Sequence, residues 1–108
     1  MVQQITVREL AEMRARGEPL VLVDVRQPWE HELASLPDSR LIPLNELPAR
    51  AGEVRAPEDA LVVVYCHHGI RSLSGAAFLQ QAGFARVASL AGGIDTWSVQ
   101  VDPQVPRY

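Results

Sequence analysis

The sequence contains no lysine, a single cysteine and no long apolar run. The absence of lysine excludes Schiff-base chemistry on a lysine amine. Cys66 has no second cysteine to pair with, which excludes a disulfide-stapled scaffold and a redox pair that resolves itself within the chain. No apolar run approaches the roughly 20 residues that span a bilayer, so we expect no contact with a membrane interior.

The charge balance and the N-terminus narrow the class of protein further. The formal net charge is -3 and no basic stripe is visible, which argues against a nucleic-acid partner. The start, "MVQQITVREL", lacks the basic residues and apolar stretch of a signal peptide, so we expect a cytoplasmic protein. The length of 108 residues and the hydrophobic fraction of 47% predict one globular domain over residues 1–108.

The order of apolar segments predicts an α/β fold. Continuous β-branched runs at residues 20–25 and 60–65 predict strands buried on both faces, which favours a parallel sheet. Helical spacing follows the capping box of Thr6 and Glu9 and recurs from Ser72 to the cap glycine Gly83. Further short strands are predicted at 40–42 and 87–90, short helices at 30–34, 44–51 and 94–99, and an extended tail at 102–108. We therefore predict a central, mainly parallel sheet with helices on both faces.

The segment "YCHHGIRS", residues 65–72, links the second buried strand to a predicted helix. In parallel sheets, ligands bind at such strand-to-helix loops, where free amides and the helix dipole attract negative charge. That field favours the thiolate form of Cys66. Gly69 allows the loop to curl into an anion-binding nest, and Arg71 adds a permanent cation. Ser72 is the expected N-cap, and its hydroxyl could also contact the sulfur.

The other loop residues are predicted to complete an anion site. We expect His67, His68 and Ile70 to contribute backbone amides, with the imidazoles at the pocket mouth, where partial protonation would attract an anionic donor. Four residues separate Cys66 from Arg71, one fewer than in cysteine phosphatases of the C-x5-R type. The smaller ring of amides suits one extra sulfur on the cysteine better than a phosphoryl group.

Four motifs follow one another along the chain: Asp24-Val25-Arg26 with Glu30, Ile42-Pro43, the loop from Cys66 to Arg71, and Gly92-Gly93 with Trp97. In this order they resemble the rhodanese family of sulfurtransferases. The resemblance implies a three-layer domain in which Cys66 takes a sulfane sulfur from a donor such as thiosulfate and becomes a persulfide. The sulfur then passes to cyanide or a thiol, without metal or organic cofactor, while residues 67–72 bind the substrate.

We also predict roles for several residues outside the loop. Ala34 to Ser39 replaces a family stretch that carries histidine and glycines, and Asp38 is expected to keep the turn by adopting a left-handed backbone. Asp24 and Arg26 are predicted to serve a structural ion pair with Glu30 as a candidate partner, although Asp24 could orient the loop. We expect Trp97 to pack in the core or at its rim, and Trp29 to be a contact for a protein partner.

Other interpretations of the loop remain open. Cys66 could be an ordinary buried thiol. A metal site of Cys66, His67 and His68 is disfavoured because adjacent residues seldom direct all their side chains to one ion. A phosphatase or arsenate reductase is disfavoured by the short loop. The ending "GGIDTWSVQVDPQVPRY" resembles the tail of rhodanese domains fused to E1-like adenylyltransferases, which suggests a sulfur-relay partner that receives sulfur from a desulfurase and delivers it to a carrier protein.

Overall fold

The two apolar runs form adjacent central strands of a five-stranded sheet. The computed structural model describes residues 2–108. The sheet has the order β1-β5-β4-β2-β3, and all four pairings are parallel. Its strands are β1 (Gln3–Ile5), β2 (Leu20–Asp24), β3 (Arg40–Leu41), β4 (Leu61–Tyr65) and β5 (Val87–Leu90). The predicted α/β class with a parallel sheet is therefore confirmed.

The edge strand β1 was not predicted. It pairs with β5 through Gln3, Gln4 and Ile5, and of these three only Ile5 is buried. One buried side chain in three positions produces neither the alternation nor the continuous run that indicates a strand.

The helices agree with the predicted positions, with shifts at their ends. They are α1 (Val7–Ala15), α2 (Pro28–Leu33), α3 (Leu47–Arg50), α4 (Arg71–Gln81) and α5 (Gly93–Gln100). The capping box of α1 is present, since Thr6 Oγ1 accepts from the Glu9 amide at 3.1 Å and Glu9 accepts from the Thr6 amide at 2.8 Å. Gly83 follows α4 with φ of 107°, as expected of a cap glycine. The predicted helix at 44–51 is instead the short α3 between two 3₁₀ turns.

Side chains of β4 alternate between two cores, one on each face of the sheet. Leu61, Val63 and Tyr65 face the core that includes Leu10 of α1 and Trp97 of α5. Val62, Val64 and Cys66 face the opposite core, to which α3 contributes Leu47 and α4 contributes Ala76 and Leu79. Helices therefore cover both faces, and the prediction that Trp97 packs in the core is confirmed.

The segments with unusual sequence have clear structural roles. Asp38 adopts φ of 63°, which confirms the predicted left-handed turn. The turn is held by Tyr65, whose hydroxyl accepts from the Leu36 amide at 3.1 Å and contacts Ser39 Oγ at 2.8 Å. The tail is less extended than predicted, because the Val105 amide donates to the Asp102 carbonyl in a turn.

None of the helices within residues 2–108 has the length and apolar character to span a membrane.

Candidate active site

Cys66 directly follows β4 and lies beneath the loop that leads into α4. Its side chain is buried, with 1% exposure. The amides of Gly69 and Ser72 point at the sulfur, with N to Sγ distances of 3.2 and 3.3 Å. An ordinary buried thiol has apolar neighbours on every side, whereas this sulfur accepts two amide hydrogen bonds. The site therefore has the dipoles that stabilise a thiolate.

The loop can curl around the sulfur because of a glycine. Gly69 has φ of 95°, and a Cβ there would lie 2.9 Å from the amide nitrogen of Gly92. Within residues 2–108, the amides of His68, Ile70 and Arg71 make no hydrogen bond. These three donors remain available to an anion or to an additional sulfur.

The start of α5 holds the other side of the loop. The Ile94 amide donates to the Cys66 carbonyl at 2.9 Å, and the Asp95 amide donates to the His67 carbonyl at 3.1 Å. A side chain at Gly93 would overlap both carbonyl oxygens, and Gly93 has φ of 62°. Gly93 is thus required by close approach of two backbones at the active loop, whereas a Cβ at Gly92 would meet the Thr96 side chain.

Ser72 is not the N-cap of α4. Ile70 holds the cap position and makes no side-chain cap bond, because α4 begins at Arg71. The Ser72 hydroxyl instead lies 2.7 Å from Ser89 Oγ and accepts from the Cys66 thiol at 3.5 Å, so the predicted contact with the sulfur is confirmed. Ser89 was missed, although a serine within the apolar strand Val87–Leu90 is a signal that could have identified it.

Arg71 is held by a carboxylate. Its two terminal nitrogens donate to Glu30 at 2.7 and 2.8 Å, in a bidentate pair. The Arg71 guanidinium lowers the pKa of Glu30 to about 2 although burial opposes this, and Glu30 in turn raises the pKa of Arg71. Glu30 was a candidate ion-pair partner of Arg26, but its carboxylate pairs with Arg71, and Arg26 donates to Glu30 only at the backbone carbonyl, at 3.3 Å. The loop cation is therefore neutralised by its own chain.

Asp24 and Arg26 form a buried ion pair of their own. Arg26 Nε and one terminal nitrogen donate to the two Asp24 oxygens at 2.8 and 2.6 Å. Burial disfavours the charge of Arg26, but hydrogen bonds to Asp24 and Tyr108 outweigh it and raise the pKa of Arg26. His31 Nδ1 lies 2.8 Å from Asp24 Oδ2. Within residues 2–108, Asp24 makes no hydrogen bond to the Cys66 loop, which supports the predicted structural role over loop orientation.

Tyr108 lies at the site and was not predicted to be there. Its hydroxyl donates to Glu30 Oε2 at 2.6 Å and accepts from Arg26 at 2.8 Å. Its ring stacks on His67 with centroids 3.9 Å apart and planes inclined by 8°. Glu30 is 78 positions away in sequence, and no local pattern predicts such a contact.

The two histidines of the loop have different surroundings. The amides bonded to the sulfur belong to Gly69 and Ser72, while the His68 amide is one of the free donors of the loop. Burial, together with neighbouring His68, lowers the pKa of His67, which disfavours the protonation expected of this imidazole. His68 is exposed at the rim of the loop, as expected.

A metal site at these histidines is poorly supported. His67, His68 and Asp95 bring one potential ligand atom each to within 4.8 Å of one another, and Cys66 is not in this group. The two imidazoles stack with centroids 3.8 Å apart, so their in-plane lone pairs run side by side and do not converge. Asp95 is already paired with Arg107 at 2.9 and 3.2 Å.

The fold and the loop define a class: a parallel α/β domain with a cysteine in an amide-lined turn between a strand and a helix. The family model of the rhodanese-like domain matches residues 6–100. This chain belongs to the rhodanese-like sulfurtransferase family.

The relatives include both short chains and much longer proteins. A protein named sulfurtransferase from Allochromatium vinosum is 39% identical over 98 residues, covering 91% of this chain and 90% of its own. The probable adenylyltransferase/sulfurtransferase MoeZ of Mycobacterium tuberculosis is 36% identical over 96% of this chain, which spans only 26% of that protein's length. A rhodanese-related protein from Thermoplasma volcanium has a TM-score of 0.82 and 29% identity, with 98% of this chain and 99% of the other covered.

Proposed function

We propose that this protein transfers sulfane sulfur through a persulfide on Cys66. The thiolate attacks the outer sulfur of a donor such as thiosulfate; a sulfur–sulfur bond to Cys66 forms, the bond to the sulfonate group breaks, and sulfite leaves with the electron pair. Cyanide or a thiolate then attacks the outer sulfur and releases the Cys66 thiolate with its electron pair. No metal or organic cofactor takes part in this exchange.

The observation that supports the proposal most strongly is the set of amides around the sulfur. Gly69 and Ser72 donate to Sγ, and the free amides of His68, Ile70 and Arg71 lie in the same loop. A persulfide carries its charge one atom further from the chain than a thiolate does. Two donors on the inner sulfur and further donors on the loop suit both states, so the charge is stabilised before and after transfer.

The experiment is intact-mass measurement after incubation with thiosulfate. We expect a gain of one sulfur atom, about 32 Da, which cyanide removes as thiocyanate. Cys66→Ala should show neither the added mass nor thiocyanate formation. Turnover by Cys66→Ala would refute the proposal, and turnover of a small aryl phosphate by the wild-type chain would favour phosphatase chemistry instead.

A second candidate function is protein-to-protein sulfur relay, with a desulfurase as donor and a carrier protein as acceptor. Its support is the neutralised cation, since the bidentate pair with Glu30 leaves Arg71 a weaker site for a dianion such as thiosulfate. A persulfide on a partner protein carries less charge and needs less compensation. Ile70 in the loop and Trp29 on α2 are exposed by 75% and 60%, as contacts for such a partner would be.

The relay candidate is tested by comparing donors on the wild-type chain. Persulfide formation on Cys66 is followed by mass with thiosulfate and with a persulfide-loaded cysteine desulfurase. Transfer from the desulfurase at a much lower donor concentration would favour relay. A preference for thiosulfate would favour the small-anion reaction.

A further inference from the structure

Tyr108 contacts groups linked to both ends of the Cys66–Arg71 loop. Its ring covers the imidazole of His67, which directly follows the nucleophile. Its hydroxyl donates to Glu30, whose carboxylate holds Arg71 at the other end. Tyr108, which is remote in sequence, therefore contacts the loop directly at His67 and indirectly, through Glu30, at Arg71.

We propose that Tyr108 is a positioning residue for the Cys66 loop, acting on His67 through its ring and on Arg71 through Glu30. The inference rests on the proposed function, because it concerns how the site of sulfur transfer receives its donor. Tyr108 takes no part in bond making. It influences the positive charge that Arg71 presents to a donor and the access of the donor to the Cys66 sulfur.

The hydroxyl acts on the charge. A phenol has one proton, and Arg26 donates to the Tyr108 oxygen at 2.8 Å, so that proton is directed to Glu30 Oε2 at 2.6 Å. The same Oε2 accepts from Arg71 at 2.8 Å. An oxygen shared between two donors holds each less strongly. Removal of the hydroxyl should therefore tighten the hold of Glu30 on Arg71 and reduce the positive charge offered to an anion.

The ring acts on access. The imidazole of His67 lies between the rings of His68 and Tyr108, with centroid distances of 3.8 and 3.9 Å. Tyr108 is itself held by an edge contact with Trp29 at 5.7 Å. Loss of the ring would leave His67 without one side of this stack, so the segment above the buried Cys66 sulfur could open more easily.

The test uses alkylation of Cys66 by iodoacetamide, which is neutral, and iodoacetate, which is anionic, followed by intact mass. Because Cys66 is the single cysteine, all thiol labelling reports on it. The ratio of the iodoacetate rate to the iodoacetamide rate measures positive charge near the sulfur. For Tyr108→Phe, which keeps the ring, the ratio should fall about threefold while the iodoacetamide rate stays unchanged. For Tyr108→Ala, the iodoacetamide rate should rise about tenfold.

A double-variant cycle separates positioning from a merely structural role. In a Glu30→Gln background, Tyr108→Phe should leave the ratio unchanged, because the carboxylate through which the hydroxyl acts is gone. The matched control is Gln104→Ala, an exposed position on the same segment, which should label like the wild type.

The outcomes decide the proposal without knowledge of the donor. A folded Tyr108→Phe with the wild-type ratio overturns it, as does an equal shift of the ratio in the Glu30→Gln background. If Tyr108→Ala does not fold, Tyr108→Phe and the cycle still decide. Absence of a persulfide on the wild-type chain would refute the proposed function alone, because alkylation does not depend on sulfur transfer.

Discussion

The floor and the rim of the site are built from different interactions. The floor consists of Gly69 and Ser72, whose uncharged amides and hydroxyl contact the sulfur, and of Ser89, whose hydroxyl contacts that of Ser72. The rim, which consists of Glu30, Arg71 and Tyr108, contains charges that pair with one another. The sulfur is therefore surrounded by dipoles, while the nearby charged groups largely neutralise each other.

This difference indicates which properties of the site depend on conditions. Dipoles fixed by packing do not titrate and are little affected by salt, so the number of donors that the floor offers to the sulfur should not change with pH. The rim depends on the ionisation of Glu30. Reactivity of the sulfur and recognition of a donor can therefore be altered separately.

Gly93→Ala should produce the largest effect on the floor. The new methyl group would overlap the Cys66 and His67 carbonyls at a left-handed position, which should lower the free energy of unfolding by about 2 to 5 kcal/mol. Urea unfolding measures this loss. Gly52→Ala is the control, since a Cβ there meets no atom within 4 Å. Equal stability of the two variants would contradict the close packing of α5 on the loop.

Glu30→Gln should cause the next largest loss of stability and should change how the free energy of unfolding depends on pH. The folded pKa of Glu30, about 2 against an ordinary 4.5, is depressed. The stabilisation that ionised Glu30 contributes is therefore complete above about pH 4.5 and is lost as the pH falls towards 2. This contribution is at most about 3 kcal/mol. Between these pH values the wild type should lose more free energy of unfolding than the variant does.

The control for Glu30→Gln is Glu53→Gln. Arg50 and Arg40 also lower the pKa of Glu53 to about 2, but the Glu53 side chain is 35% exposed, against 4% for that of Glu30. Salt should screen the two Glu53 pairs more strongly than the Glu30–Arg71 pair, whose carboxylate is buried. Identical pH and salt profiles for the two variants would show that the rim gains nothing from burial.

Ser89→Ala should have the smallest effect and test the floor alone. It removes the partner of the Ser72 hydroxyl, which should cost about 1 kcal/mol of stability and slow alkylation of Cys66 by about twofold. Ser39→Ala is the matched control, because Ser39 bonds Tyr65 under the opposite face of the sheet. A similar slowing in Ser39→Ala would remove the special role of Ser89.

Local patterns predicted the floor better than the rim. A buried β-branched run before Cys66, a glycine at position 69 and a helix beginning near Arg71 are all readable over a dozen residues, and the structure confirms each. The helix cap was assigned wrongly to Ser72, because α4 begins one residue earlier, at Arg71, and the Ser72 hydroxyl contacts Ser89 of β5. A serine at the start of a helix does not reveal which partner its oxygen will meet.

The rim could not be predicted because its partners are distant in sequence. Glu30 was predicted as a candidate partner for Arg26, which is close to it in sequence. In the structure Glu30 turns to Arg71, 41 positions further on, and Tyr108 reaches it from 78 positions away. Only the parallel packing of β2 beside β4 brings the segments that follow these strands together.

The alternation of β4 has a further consequence. Tyr65 and Cys66 are neighbours whose side chains enter opposite cores, the phenol towards Leu36 and Ser39 and the sulfur towards α4. A slip of β4 by one residue would exchange them, placing an aromatic ring under the amide turn and the thiol beneath the other layer. Such a chain could keep every helix and strand and still be inert, so strand register is itself a determinant of the chemistry.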